Sequence, residues 1–198
     1  MNELVIGNLD PKRIPETARV IAAAMSSNPI HVAVFQGKGE DEVRRQEAMF
    51  EVILQHAPGQ ARVARRDRRI VGAYRMVKWP GCQPSQEASE KLLPLLEQAL
   101  GDSIPRVVHW VTIWKSFDPM KTHWHLGPVA VDPEVQGQGI GTKLMEDFCS
   151  HVDRQGDPAY LETDKPGNVR LYERFGFSVK NEEEIYGVKN FFMWRSRH

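Results

Sequence analysis

Two short stretches of this 198-residue chain carry residue types at spacings that can do chemistry. Gln136-Gly137-Gln138-Gly139-Ile140-Gly141 stands between a strand-like segment and the start of a helical one. Without side chains at three positions, the backbone can approach a ligand closely and its N–H groups can converge on an anion. The first turn of the following helix adds unpaired donors and a partial positive charge, so a diphosphate is the natural guest. The competing reading is a plain turn that needs glycine for its dihedral angles. G-x-G-x-x-G is not met, because Thr142 stands three after Gly139, and the Lys of a P-loop would have to precede Thr, whereas Thr142-Lys143 has the opposite order. The second stretch is His123-Trp124-His125, whose two imidazoles share one face of a strand and can relay a proton. An ordinary pair of strand residues is the alternative. No metal is expected, since spacing supplies no third ligand, and Cys82 and Cys149 lack a CxxC pattern.

The elements that must position these residues are legible in part. Leu4-Val5-Ile6 suits a first strand. Ile14 to Met25 sets Ala18, Ile21, Ala22 and Met25 on one helical face, and Asn28-Pro29 stops that helix. A helix from about Glu42 to Gln55 turns Met49, Phe50, Ile53 and Leu54 inward. Ala61 to Arg65 and Ile70 to Val77 form a hairpin around Arg66-Asp67-Arg68-Arg69. From Pro80 to Met120 the pattern is faint: Leu92 to Leu100 has helical spacing with Pro94 limiting its start. Val107 to Trp114 is a further helical stretch, with Val108, Val111 and Thr112 as candidate buried positions. His123 to Val131 then reads as a strand closed by Asp132-Pro133. Thr142 to Val152 reads as a helix with Ile140, Leu144, Phe148 and Val152 at every fourth position. Ala159 to Thr163 is a strand, Asn168 to Phe175 a short helix stopped by Gly176, and Phe177 to Lys180 and Phe191 to Trp194 are closing strands. The order gives an α/β arrangement with a mixed sheet.

Bulk properties narrow the function. Hydrophobic residues are 41% and charged residues 26%, an ordinary globular profile, and 26 basic residues balance 26 acidic ones. That balance removes the motive for a nucleic-acid partner, and the Arg62 to Arg69 cluster reads as a solvated strand face. No stretch is apolar enough to span a membrane and the start does not read as a signal peptide, so a cytoplasmic location is expected. Length and the lack of a linker suggest a single domain over 1–198.

Gln136, Gly139 and Gly141 fit Q-x-x-G-x-G, which resembles the coenzyme A pyrophosphate loop of Gcn5-related N-acetyltransferases. Leu126-Gly127-Pro128-Val129-Ala130-Val131-Asp132-Pro133 before it resembles that family's fourth strand. Asn168-Val169-Arg170-Leu171-Tyr172-Glu173-Arg174-Phe175-Gly176-Phe177 after it resembles the family's N-x-x-x-Y-x-x-x-G-F element. The likeness covers about residues 123 to 195 and, through Ala159 to Thr163, is similar to the subgroup that includes puromycin N-acetyltransferase. It implies a mostly antiparallel central sheet flanked by helices, with splayed fourth and fifth strands. Residues 1–122 would form the acceptor side and scaffold, and 123–198 the acetyl-CoA-binding half.

The resemblance implies an acetyl-CoA-dependent N-acetyltransferase acting on a primary amine. Acetyl-CoA would be held by Val129, Ala130, Val131, Gln136, Gly137, Gln138, Gly139, Ile140, Gly141, Thr142 and Asn168, with Asn168 also capping its helix. Tyr172 takes the family's general-acid position; by spacing alone it is a packed aromatic beside Leu171 and Phe175. Glu162, then His125, are the candidate bases. Trp79, Trp110, Trp114 and Trp124 could line a pocket for a flat or apolar small-molecule amine, with core packing as the alternative. A non-catalytic acyl-CoA sensor and a protein lysine acetyltransferase are the rival readings. Family members are often homodimers, and no sequence feature decides that here.

Overall fold

The computed structural model describes residues 3–83 and 85–197. Its apolar periodicities become helices on two sides of a sheet. On one side lie α1 (Ile14–Met25), α2 (Pro29–Phe35), α3 (Glu40–His56) and α5 (Ile104–Phe117), with α4 (Gln86–Leu100) outside them. On the other lie α6 (Ile140–Gln155) and α7 (Pro166–Glu173). The strands are β1 (Leu4–Asn8), β2 (Gln60–Arg66), β3 (Arg69–Lys78), β4 (Trp124–Val131), β5 (Ala159–Thr163), β6 (Ser178–Ile185) and β7 (Val188–Arg195). Among the described residues they form a seven-stranded sheet in the order β1-β2-β3-β4-β5-β7-β6. Every pairing is antiparallel except β4 with β5. The expected mixed, mostly antiparallel sheet between helices is therefore present.

Two hydrophobic cores follow from this layering. One joins Ile21, Ile30, Phe35, Phe50 and Trp110 to Ile70, Ala73 and Ala130 of the sheet. The other joins Leu144, Phe148 and Val152 of α6 to Tyr74, Met76, Trp124 and Leu126. Before Gly127, the residues Trp124 and Leu126 of β4 face α6; after it, Ala130 faces α1. Strict alternation would have kept Ala130 on the face of Leu126. The register explains the change: Met76 pairs with Leu126 and Tyr74 with Val129, so Gly127 and Pro128 together oppose Arg75. This is a β-bulge, and bulges bend the strand that carries them. Parallel pairing of β4 with β5 is confined to Trp124, His125 and Leu126 against Ala159, Tyr160 and Leu161. Beyond the bulge the two strands part, as the resemblance implied.

Helix α6 is fixed tightly beside this gap. A Cβ at Gly72 of β3 would lie 2.9 Å from the Ala130 carbonyl oxygen and 3.2 Å from Leu144, so only glycine lets the helix approach this closely. Arg62 grips Asp147 through two hydrogen bonds of 2.6 and 3.0 Å, and the Tyr74 hydroxyl donates to the same carboxylate at 2.7 Å. Arg195 of β7 grips Asp153 in the same two-pronged way. Paired guanidinium–carboxylate contacts of this kind fix orientation as well as distance.

Several sequence expectations need correction. Asn28-Pro29 ends α1 but also starts α2, because proline is suited to the first helical position, where its missing N–H costs nothing. Pro94 lies inside α4 rather than at its start; it is solvent-exposed, where water can meet the carbonyl it leaves unpaired. In α5 the buried residues are Val107 and Trp110, whereas Val108, Val111 and Thr112 are exposed. The final hairpin is longer than expected and turns at Tyr186-Gly187, both with positive φ, as a two-residue turn requires. No helix among the described residues is long and apolar enough to cross a membrane. Replacing Gly72 by Val should lower unfolding free energy by about 1–3 kcal/mol through overpacking against α6, measured by urea denaturation. Unchanged stability would mean that α6 is not held this closely.

Candidate active site

The gap between β4 and β5 opens into a cavity of about 710 Å3. Its backbone wall can be assigned by alternation. The Asp132 N–H donates to Val71 on β3 at 3.0 Å, so the N–H groups of Val131 and Val129 point the other way, into the gap. Ala130 is buried in the core and lies outside the cavity lining, so of the three β4 residues proposed from sequence it alone does not face the gap.

The glycine turn closes one end. Gly137 and Gly139 have φ of 78° and 80°, which L side chains rarely adopt, and a Cβ at either would project into open space. Gly139 caps α6, whose first turn carries no acidic side chain to compete with a bound anion. The Gln136 side-chain amide donates to the Val131 carbonyl at 3.0 Å and ties the turn to β4. Gly137, Gly139, Ile140, Gly141 and Thr142 line the cavity with it, while Gln138 accepts from Arg66 at 2.7 Å and is absent from the lining. The turn and the helix head together present unpaired N–H groups and a partial positive charge to the cavity, a setting suited to an anion.

Tyr172 and Glu162 line the same cavity. Helix α7 begins at Pro166 with Lys165 as its cap residue; Asn168, expected as the cap, sits inside the first turn and donates to Thr163 Oγ1 at 3.3 Å. Tyr172 is 7% exposed, and burial followed by the nearby Asp164 charge pushes its phenol well up, so it keeps its proton at neutral pH. Glu162 Oε2 meets His125 Nε2 at 2.8 Å, while Oε1 is buried without a hydrogen-bond partner. Tyr160 lies on the same face of β5, and burial, then the Glu162 and Asp118 charges, push its phenol well up.

His125 leads from Glu162 to a group that sequence reading missed. Its Nδ1 lies 3.1 Å from Asp118 Oδ2, and His123 Nε2 lies 3.0 Å from Asp118 Oδ1. Cys82 Sγ is 3.6 Å from His123 Nε2. Burial opposes charge on Asp118, yet hydrogen bonds from the two histidines hold its carboxyl well below the usual range. Burial likewise opposes protonation of His123, but Asp118 and its other partners raise it to about 9. The expectation that no third donor accompanies His123 and His125 is corrected: Asp118 ends α5 and Cys82 follows β3, far apart in sequence and adjacent in space.

The opposite end of the cavity is aromatic and comes from the first 120 residues. Trp110 and Trp114 pack edge to face at 4.7 Å, and His31 sits edge-on to Trp110 at 5.0 Å, with Phe50, Met25 and Met49 beside them. Trp79 and Trp124, grouped with them from sequence, lie elsewhere; Trp124 packs in the α6 core and donates to Asp157. Complete burial, ahead of Lys165's charge, lowers His31 to about 4, against support from its Gln46 hydrogen bond at 2.9 Å.

Residues 29–177 match the model of the acetyltransferase (GNAT) family. The peptidyl-lysine N-acetyltransferase YjaB of Salmonella typhimurium is 28% identical over 94 residues, covering 46% of this chain and 63% of that protein. The chain thus matches less than two thirds of that relative's length, and no more than 25% of four further curated relatives. Among solved structures, histone acetyltransferase HPA2 and related acetyltransferase from Corynebacterium glutamicum superposes with a TM-score of 0.73 at 19% identity, covering 100% of this chain and 98% of that one. A GNAT family acetyltransferase from Brucella melitensis, in complex with acetyl-CoA, gives 0.56 at 18% identity, covering 99% and 89%.

His31 supplies a pH test of the aromatic end. Its pKa is about 4 when folded against an ordinary 6.5, so the unfolded chain binds more protons between these values. Its contribution is therefore fully present above pH 6.5 and lost as pH falls towards 4, by about 3 kcal/mol at most. Over that window wild-type stability should fall more steeply than that of His31→Gln, measured by urea denaturation at fixed salt. Parallel slopes would contradict a neutral, buried His31.

Proposed function

The chain belongs to the acetyltransferase (GNAT) family, and from that premise we propose that it transfers the acetyl group of acetyl-CoA to a small primary amine with an apolar or aromatic body. One observation carries the reading: a single cavity joins an anion cradle, outward strand amides, a protonated phenol, a half-free carboxylate and an aromatic pocket.

Each part has a task. The Gly137–Thr142 turn and the head of α6 receive the diphosphate of the substrate. The Val129 and Val131 amides extend the sheet onto its pantetheine arm, as an added strand would. An alkylammonium with a pKa near 10 is roughly a thousandfold short of its neutral form at pH 7. Glu162 Oε1 takes the excess proton and passes it to solvent, while His125 donates to Oε2 and holds the carboxylate in place. The neutral nitrogen then bonds to the thioester carbon, and strand amides stabilise the oxyanion that forms. As the C–S bond breaks, the sulfur takes the Tyr172 proton and the attached nitrogen gives its remaining excess proton to Glu162, which passes it to solvent; the free thiol, the neutral amide and a phenolate remain, and the phenolate recovers its proton from solvent.

His31, Phe50, Trp110 and Trp114 favour a compact acceptor with its charge at one end. The Salmonella relative is named for peptidyl-lysine, and an apolar channel also suits a lysine stem, so acceptor choice is an outcome to measure. Profiling of aliphatic amines, arylalkylamines, lysine peptides and intact proteins by thiol release should give highest kcat/KM with the arylalkylamines. Turnover confined to peptides or proteins would overturn the small-amine assignment. Tyr172→Phe should lower kcat about a hundredfold or more with acetyl-CoA affinity little changed, and Glu162→Gln should act similarly at neutral pH. Full turnover in either variant removes that residue from the mechanism.

A further inference from the structure

The His123, His125, Asp118 and Cys82 cluster is larger than base positioning requires. One donor atom from each of the four lies within 4.8 Å of every other. The near separations are 3.0 Å from His123 Nε2 to Asp118 Oδ1, 3.1 Å from His125 Nδ1 to Asp118 Oδ2, 3.6 Å from His123 Nε2 to Cys82 Sγ and 3.9 Å from Cys82 Sγ to Asp118 Oδ1. Tetrahedral Zn2+, with sulfur at ~2.3 Å and nitrogen or oxygen at ~2.0–2.2 Å, sets its donors roughly 3.3–3.6 Å apart. The near separations bracket that spacing, and the widest, within 4.8 Å, would contract onto such a shell when an ion binds.

The outer nitrogens of both rings are already engaged. His123 Nδ1 meets the Lys121 carbonyl oxygen at 2.6 Å, and His125 Nε2 meets Glu162 Oε2 at 2.8 Å. Both partners are acceptors, so each ring donates outward and leaves its inner nitrogen for the centre of the cluster. This is the outer-shell arrangement that orients metal-bound histidines. The two inner nitrogens and the Asp118 carboxylate, whose side chain is 3% exposed, thus converge away from solvent on one point beside Cys82.

We infer that Cys82, Asp118, His123 and His125 form a four-coordinate site for a divalent transition metal, Zn2+ in the first instance. One thiolate, one carboxylate and two imidazoles suit Zn2+ better than Mg2+ or Ca2+, which prefer oxygen donors. A closed shell of four protein ligands marks a positioning site. It would staple the loop after β3 and the end of α5 to β4, and hold His125 against Glu162. A second cavity, of about 680 Å3 and lined by Arg75, Gly81, Cys82 and His125, gives the ion a path in. The inference does not rest on the acetyl-transfer reading, because its readout is metal content.

The test uses the whole chain purified without a histidine tag and dialysed against metal-free buffer. Elemental analysis should find Zn2+ approaching one per chain. After chelation, Co2+ should be taken up with the intense visible bands of a tetrahedral site and a sulfur-to-cobalt charge-transfer band. Cys82→Ser should lose the charge-transfer band while staying folded by circular dichroism, and His123→Ala should lose uptake. Should His123→Ala not fold, Cys82→Ser and the wild-type titration still decide. Acetyl-CoA binding, followed in parallel, should survive chelation, because the glycine turn contains none of the four ligands. A folded wild-type chain that neither retains Zn2+ nor takes up Zn2+ or Co2+ at micromolar concentration overturns the proposal. So does a Cys82→Ser cobalt spectrum identical to wild type.

Discussion

Pairing between β4 and β5 ends at Leu126 and Leu161, and the strand amides beyond that point must find other partners. The bulge at Gly127-Pro128 causes the parting, since two residues there stand against the single Arg75 on β3. Proline supplies no donor at the turning point, and the bulge reverses which residues of β4 face which core. The remaining Val129 and Val131 amides make an open ladder in the middle of a sheet, a position where ladders are ordinarily closed. Such a ladder is open to a ligand arm of strand-like reach. The rest of the structure holds that opening in shape.

Two sets of charges do the holding. Arg62–Asp147 with Tyr74, and Arg195–Asp153, clamp α6 from both sides, so its N-terminus stays aimed at the gap. Gly72 sets how closely that helix lies on the sheet. Across the sheet, His125 holds Glu162 by one oxygen and leaves the other unpartnered. The two clusters differ: the α6 clamps are satisfied internally, whereas Glu162 has one buried oxygen without a partner on the cavity wall. A buried polar atom left unpaired is costly, so a ligand donor there would be stabilising.

The legible part of the sequence was the part governed by local rules. Ile140, Leu144, Phe148 and Val152 repeat at helical spacing and are all buried; Ala159 to Thr163 is a strand of those bounds. The glycine turn could be read because positive φ and close approach restrict residue choice. Helix α2 is hidden because Pro29 signals a stop and a start equally, so no local pattern sets His31 on a cavity wall. Strand β6 was cut short because Asn181-Glu182-Glu183-Glu184 is polar throughout, as an exposed edge strand is permitted to be. Asp118 and Cys82 could not be found by spacing, since tertiary folding alone sets them beside His123. The tryptophans show the same limit: composition grouped four, and packing sends Trp110 and Trp114 to the cavity but Trp124 to the other core.

The central claim is that the parted strands and the glycine turn seat acetyl-CoA. Calorimetric titration of the folded chain with acetyl-CoA, beside a folded Gly139→Val variant, tests it most directly. The account predicts saturable, stoichiometric binding to the wild type, weakened at least about tenfold, or 1.4 kcal/mol, in the variant. Valine at a φ of 80° would force the turn to rearrange or place its side chain where the diphosphate must lie. No heat of binding from a well-folded wild type, or equal affinity in both proteins, would contradict it.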